Sequence, residues 1–313
     1  MSSQPVAAPP ARPRRGLFER LRGNPVTLKE LRGRMRGPRA FAVLTVYLSL
    51  TSGLLVLLYV LQAEAISRTA TPTGSEIGRI LFFGVMGIEL FLVTFIGPAF
   101  TASAVSGERE HRTYEILRTT LLSARALVFG KLVSAMSYIV LLLLAAIPLQ
   151  AIAFLFGGVH VEELVIGLVI LLATALQFGT VGLYFSAVMQ RTLPASVLTY
   201  SYALFATVGL PIVLAVFLPI FSPLVRLVNS TAVQAAALYA TGLVISTNPI
   251  AAALVSETFI TERQEIGVFD FVLDTGQAIP VVSPWIPYTV FAVGTALVLF
   301  WLTVRQVREV ADA

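Results

Sequence analysis

Six stretches of this sequence, at about 41–62, 80–105, 127–156, 164–189, 194–221 and 285–304, are almost purely apolar. A helix needs about 20 such residues to cross the hydrocarbon core of a bilayer, and each stretch meets that demand. No water-soluble domain accommodates six of them. The chain is therefore expected to be an all-α integral membrane protein with six transmembrane helices. Composition agrees: 57% of the 313 residues are hydrophobic and the mean hydropathy is +0.85, against roughly 45–50% apolar usage in soluble domains. Cysteine is absent and the only histidines are His111 and His160. This excludes a disulfide framework, a thiol nucleophile and a Cys/His metal cluster.

Charge orients the spans. Residues 1–16, opening MSSQPVAAPPARPRR, are rich in Pro, Ala and Arg and read as a disordered cytoplasmic arm. Residues 17–38 contain NPVTLKELRGRMRG, with Asn24 as N-cap, Pro25 at the first helical position and a stop at Gly37-Pro38. Leu28, Leu31 and Met35 share one face while Lys29, Arg32 and Arg36 line the next, as in an amphipathic helix lying on an anionic leaflet. With the N-terminus cytoplasmic, the external loops hold only Arg68, Arg79, Arg226 and Arg263 of the 22 Lys and Arg. That bias predicts N-in and C-in topology for a single transmembrane domain over 39–313. The apolar segment 232–246 is short for a crossing, and a seventh span there would move Arg305 and Arg308 outside. A re-entrant or interfacial pair of helices broken at Asn248-Pro249 is expected instead. Pro280, Pro284 and Pro287 then mark the return into the last span.

Two features carry candidate function. Glu89, in GVMGIELFLVTF, lies well inside the second span. A charge at membrane depth costs about 2.5–3.5 kcal/mol on insertion scales and marks a pathway or gating candidate. The plainer reading is an acid that is protonated or satisfied by a neighbouring span, where Gln177 and Tyr184 are candidate partners. The connector SGEREHRTYEILRTTLLSARALVFGK, residues 106–131, places three acidic and five basic side chains between two membrane-grade segments. Leu and Tyr interleaved with mixed charge suit a protein partner; a nucleic-acid backbone would select basic residues alone, so no nucleic-acid partner is expected. His160 beside Glu162 and Glu163 reads as a solvated helix end and no metal is assigned there.

The pattern Glu108-Arg109-Glu110, Thr113, Glu115, Leu117, Thr120, Ser123, Arg125, Leu127, Gly130-Lys131 resembles the signature of type-2 ABC transporter permeases, the six-span membrane subunits of ABC exporters. The segment NPVTLKELRGRMRGPRAF similarly resembles that family's connecting helix. The chain differs in having Leu121 where many members carry proline. The resemblance implies a coupling helix between spans 2 and 3 that docks on a cytoplasmic P-loop ATPase, with Glu108, Arg109, Glu110, Thr113 and Glu115 as docking residues. It also implies re-entrant helices between spans 5 and 6, a second permease copy or related permease as partner, and a place in a bacterial plasma membrane. Gly130-Lys131 is not a phosphate-binding loop, because Arg125 stands where the first glycine belongs and Leu132 where Ser or Thr belongs. The chain is thus not expected to be an enzyme or to bind a cofactor itself; ATP and Mg belong on the partner. The rival readings are a proton-linked secondary transporter using Glu89 and a non-transporting membrane scaffold.

Overall fold

A computed structural model describes residues 38–69, 74–112, 123–227, 230–263, 265–273 and 276–312. The arm at 1–16, the amphipathic segment with Lys29, Arg32 and Arg36, and Thr113 and Glu115 of the connector lie outside the described residues.

The described chain is a helical bundle. Helix α1 runs Pro38–Thr69, α2 Gly74–Thr101 and the short α3 Ser106–Glu110. Helices α4, Ala124–Leu155, and α5, Val161–Val188, follow. Helix α6, Thr192–Leu204, passes through a π-helical segment at Phe205–Gly209 into α7, Leu210–Leu227. Helices α8, Thr231–Ile245, and α9, Pro249–Arg263, precede strands β1, Val268–Val272, and β2, Ala278–Val282; α10, Trp285–Asp312, closes the chain. Six helices are long and apolar enough to cross a membrane: Phe41–Glu64, Ser75–Glu110, Ala124–Leu155, Val161–Val188, Thr192–Pro223 and Trp285–Arg308. They match the six stretches expected from the sequence. Both α8 and α9 are too short to count among them.

Helix α5 is the centre, with 67% of its apolar window buried, and it packs on α2, α4 and α10. Leu183 meets Leu127, Val128 and Val307 at one end, Leu171 and Ala175 meet Val93 and Ile139 in the middle, and Ile166 and Ile170 meet Ala252 and Tyr288 at the other. Hydroxyls are tolerated in this core because they bond backward along their own helices. Thr174 donates to Ile170 O and Thr303 to Leu299 O, each at 2.7 Å, so neither hydroxyl presents a free donor to hydrocarbon. Spans one and five are peripheral, and Leu50, Val216, Phe217, Ile220 and Phe221 expose apolar surface as a lipid-facing helix must.

The hairpin is an element not expected from the sequence. β1 and β2 pair antiparallel with Asp270 opposite Pro280, and Gly276, at φ +80°, supplies the left-handed turn residue. Pro280 lacks an N–H, which a two-stranded ribbon tolerates. Its carbonyl accepts from the Tyr239 hydroxyl at 2.8 Å, tying the hairpin to α8.

Candidate functional site

The second span does not run straight into the charged connector. Regular helix ends at Thr101, a turn follows through residues 102–105, and α3 resumes at Ser106. Such a break frees backbone donors, and buried donors need partners. Ser186 of α5 provides one acceptor for two of them: its Oγ accepts from Val105 N at 2.9 Å and from Ser106 N at 3.0 Å. The Ser106 hydroxyl lies 3.2 Å from the same oxygen. One turn earlier, Gly182 lets α5 approach the break, because a Cβ there would overlap the Thr101 hydroxyl.

All three charged residues at the start of the connector are turned onto the chain's own elements. Glu108 Oε1 lies 2.8 Å from Lys131 Nζ on α4. Arg109 Nη1 donates to Met189 O, just beyond the end of α5, at 3.3 Å. Glu110 receives Thr192 N at 3.0 Å on one oxygen and the Thr192 hydroxyl at 2.8 Å on the other. Thr192 is the first residue of α6, so a carboxylate from another element caps that helix, where negative charge is favoured. Arg112 ends the described part of the connector at φ +56°, an αL stop that bulky residues adopt only when the surroundings demand it. His111 and Arg112 are exposed. The predicted docking residues Glu108, Arg109 and Glu110 are thereby brought together, as anchors of α3 to spans three, four and five.

Glu89 is 1% exposed. Its Oε2 accepts from Gln150 Nε2 of α4 at 2.7 Å, while Oε1 has no hydrogen-bond partner among the described residues. Tyr47 of α1 interacts with it electrostatically. Of the two partners suggested by the sequence, Gln177 donates instead to Tyr202 on α6, and Tyr184 packs beside Phe185. A cleft of about 430 Å³ opens between α2, the π-helical segment and α9, lined by Phe83, Met86, Leu90, Phe91, Leu204 and Ile250. Glu89 is not on its wall but faces α1 and α4.

Two polar arrangements on the α9 side were not anticipated. Arg79 of α2 donates to the Thr261 hydroxyl at 2.8 Å and lies 3.3 Å from Glu257. Burial pushes the Glu257 carboxyl above its ordinary value, and Arg79 pulls it partway back. Glu163, expected at a solvated helix end, is instead 4% exposed beside the same group, because α9 covers it. The second arrangement joins α9 to the fifth span. Pro211 has no N–H to give the carbonyls four or five residues back, those of Thr207 and Ala206. Asn248 Nδ2 donates to both, to Thr207 O at 3.2 Å, and Asn248 Oδ1 accepts from Ala251 N at 2.7 Å, capping α9. The sequence signalled the break at Asn248-Pro249, but not that the side chain answers a proline 37 residues upstream.

The six helices define a multi-pass integral membrane protein. Comparison with known proteins carries the class no further: no family model matches the chain and no curated protein matches it.

Proposed function

We propose that the chain is the membrane-spanning permease subunit of an ATP-driven ABC transporter, working in the export direction with a separate P-loop ATPase. The observation that carries this reading is the anchoring of α3. A five-residue helix at the end of the second span is bonded to Lys131, Ser186, Met189 and Thr192, so force applied to the connector reaches four spans together. In this reading the connector faces the cytoplasm, Glu108, Arg109 and Glu110 hold it in shape, and His111, Arg112 and the residues after them meet the ATPase. Helices α8 and α9 form the re-entrant pair on the external side, and a second permease copy covers part of the outward apolar surface.

The test is a pull-down of the tagged chain from its native membrane in mild detergent, with captured proteins identified by mass spectrometry. Stoichiometric recovery of a soluble P-loop ATPase, lost in Glu108→Ala/Glu110→Ala and in His111→Ala/Arg112→Ala, supports the reading. Absence of any ATPase under conditions that preserve complexes refutes it. One observation favours a second reading, proton-linked secondary transport: Glu89 is a buried acid with an unshared oxygen. In that case Glu89→Gln, which keeps a side chain able to bond Gln150, abolishes proton-coupled uptake into vesicles without any ATPase present.

A further inference from the structure

Polar side chains seat helix α9 on the bundle at three places. Asn248 ties its start to the fifth span, and midway along it the Ser256 Oγ accepts from Trp285 N at 2.9 Å. Neither contact contains a group that titrates. Near the end of α9, Glu257 and Thr261 meet Arg79 of α2. Glu163, from the first turn of α5, closes the same place from the other side: with Ser256, Glu257 and Ile260 it lines a cavity of about 20 Å³. Glu163 is 4% exposed, and neither of its carboxylate oxygens has a hydrogen-bond partner among the described residues. The His160 amide at the N-cap lies toward it without closing a bond. Glu257 Oε1 is buried too, with Arg79 Nε at 3.3 Å. Two carboxylates thus share one guanidinium.

Charge and size decide what the cavity takes. With both acids ionised the cluster carries one surplus negative charge, against walls that include Phe82, Met86 and Ile166, where a charge is poorly solvated. One proton removes the surplus and supplies the donor that the Glu163 oxygens lack. The cavity has room for about one water, and two carboxylates with one serine offer fewer oxygens than the roughly six that a hard cation takes. We propose that Glu163 and Glu257 are a proton-binding pair that retains one proton between them, clasps α9 to α2 and α5, and lets α9 go when that proton is lost. The titratable groups around the pair are Arg79 from α2, His160 and Glu162 at the start of α5, and Tyr288 from α10, whose hydroxyl is held by Thr174. Burial lifts the Glu257 carboxyl above its ordinary value in spite of Arg79, in keeping with a retained proton. Ile250, Ala253 and Leu254 of the same helix wall the cleft of about 430 Å³, so loss of the proton loosens one side of that cleft. The clasp does not depend on what the protein transports.

The test is hydrogen exchange of the full chain in detergent, read by mass spectrometry over a pH series and corrected for intrinsic exchange. Freed carboxylates give up the proton that the closed form keeps. Protection of the α9 amides is therefore expected to fall by about tenfold per pH unit above roughly pH 5, then to level off once the closed form also loses the proton. Glu163→Gln and Glu257→Gln each leave one carboxylate with Arg79, so either variant should hold α9 closed with protection independent of pH. Arg79→Gln leaves two carboxylates without a counter-charge and should steepen the fall toward a hundredfold per unit. Protected α5 amides show that a variant is folded, and the native series needs no variant. Flat α9 protection in the native chain overturns the proposal. So does a fall that persists in Glu163→Gln, which would give the proton to Glu257 alone, or one shared equally by α5, which would be loss of the whole fold.

Discussion

The ammonium of Lys131, 3% exposed, lies 2.8 Å from Glu108 across the gap between α4 and α3. A lysine buried at that depth requires its counter-charge. Lys131→Ala is expected to lower thermal stability in detergent by about 1–3 kcal/mol, less than for a fully enclosed pair because the Glu108 side chain keeps 27% exposure. The paired variant Lys131→Met/Glu108→Leu should recover part of the loss. Additive losses in the double variant would show that the two side chains do not act together.

Asn248 and Pro211 form a second pair that is testable by rescue. Removing the Asn248 amide leaves two carbonyls without their donor and uncaps α9. Asn248→Ala should therefore cost about 2–4 kcal/mol. Adding Pro211→Ala restores a backbone N–H at the π-helical segment, so the double variant is expected to be more stable than Asn248→Ala alone. A thermal melt of the three proteins checks this, and a double variant less stable than the single one contradicts it.

Stability should also depend on pH through Glu257. Its carboxyl is raised above the ordinary value of 4.5 by burial, with Arg79 and Thr261 opposing the shift and Glu163 adding to it. A raised carboxyl favours the protonated form in the folded chain. The stability it supplies is fully present below pH 4.5 and is lost as pH rises through the folded value. Glu257→Gln is predicted to flatten that decline in melting temperature across the acid-to-neutral range. An unchanged slope in the variant would remove Glu257 as its source.

Because the chain has no cysteine, single introduced thiols report topology without background. Cys at His111 and Cys at Gly276 are expected to react with a membrane-impermeant maleimide from opposite faces of sealed vesicles. Labelling of both from one face would overturn the assignment of the connector and the hairpin to opposite sides.

Hydropathy alone located the spans because length and apolar content decide which segments can cross. The last stretch, expected at 285–304, is the membrane part of Trp285–Asp312. It could not locate the break at 102–105, since Ala102 and Val105 are as apolar as their neighbours and the break is stabilised by Ser186, about 80 residues away in sequence. The same limit explains Glu89: which face of α4 or α5 turns toward it depends on helix rotation, and Gln150 supplies the contact. Helix α9 covers Glu163 only through tertiary packing, so its burial had no local signal. The hairpin did leave a trace in the alternation of VFDFV, short enough to pass for connector. Glu108, Arg109, Glu110 and Lys131 stood out by composition, while the partners Met189 and Thr192 are ordinary residues at helix ends.

The Ser186 contact has a mechanical consequence. It sits between a short arm, α3, of about 7.5 Å and a long one, α2, of about 42 Å at 1.5 Å per residue. With that hydroxyl as fulcrum, a tilt that displaces the tip of α3 by about 1 Å corresponds to about 6 Å at the far end of α2. Arg79, which clasps α9, rides near that far end. In the proposed exporter, a small push on α3 and the elements it is bonded to would be multiplied across the membrane, with a single serine as the bearing.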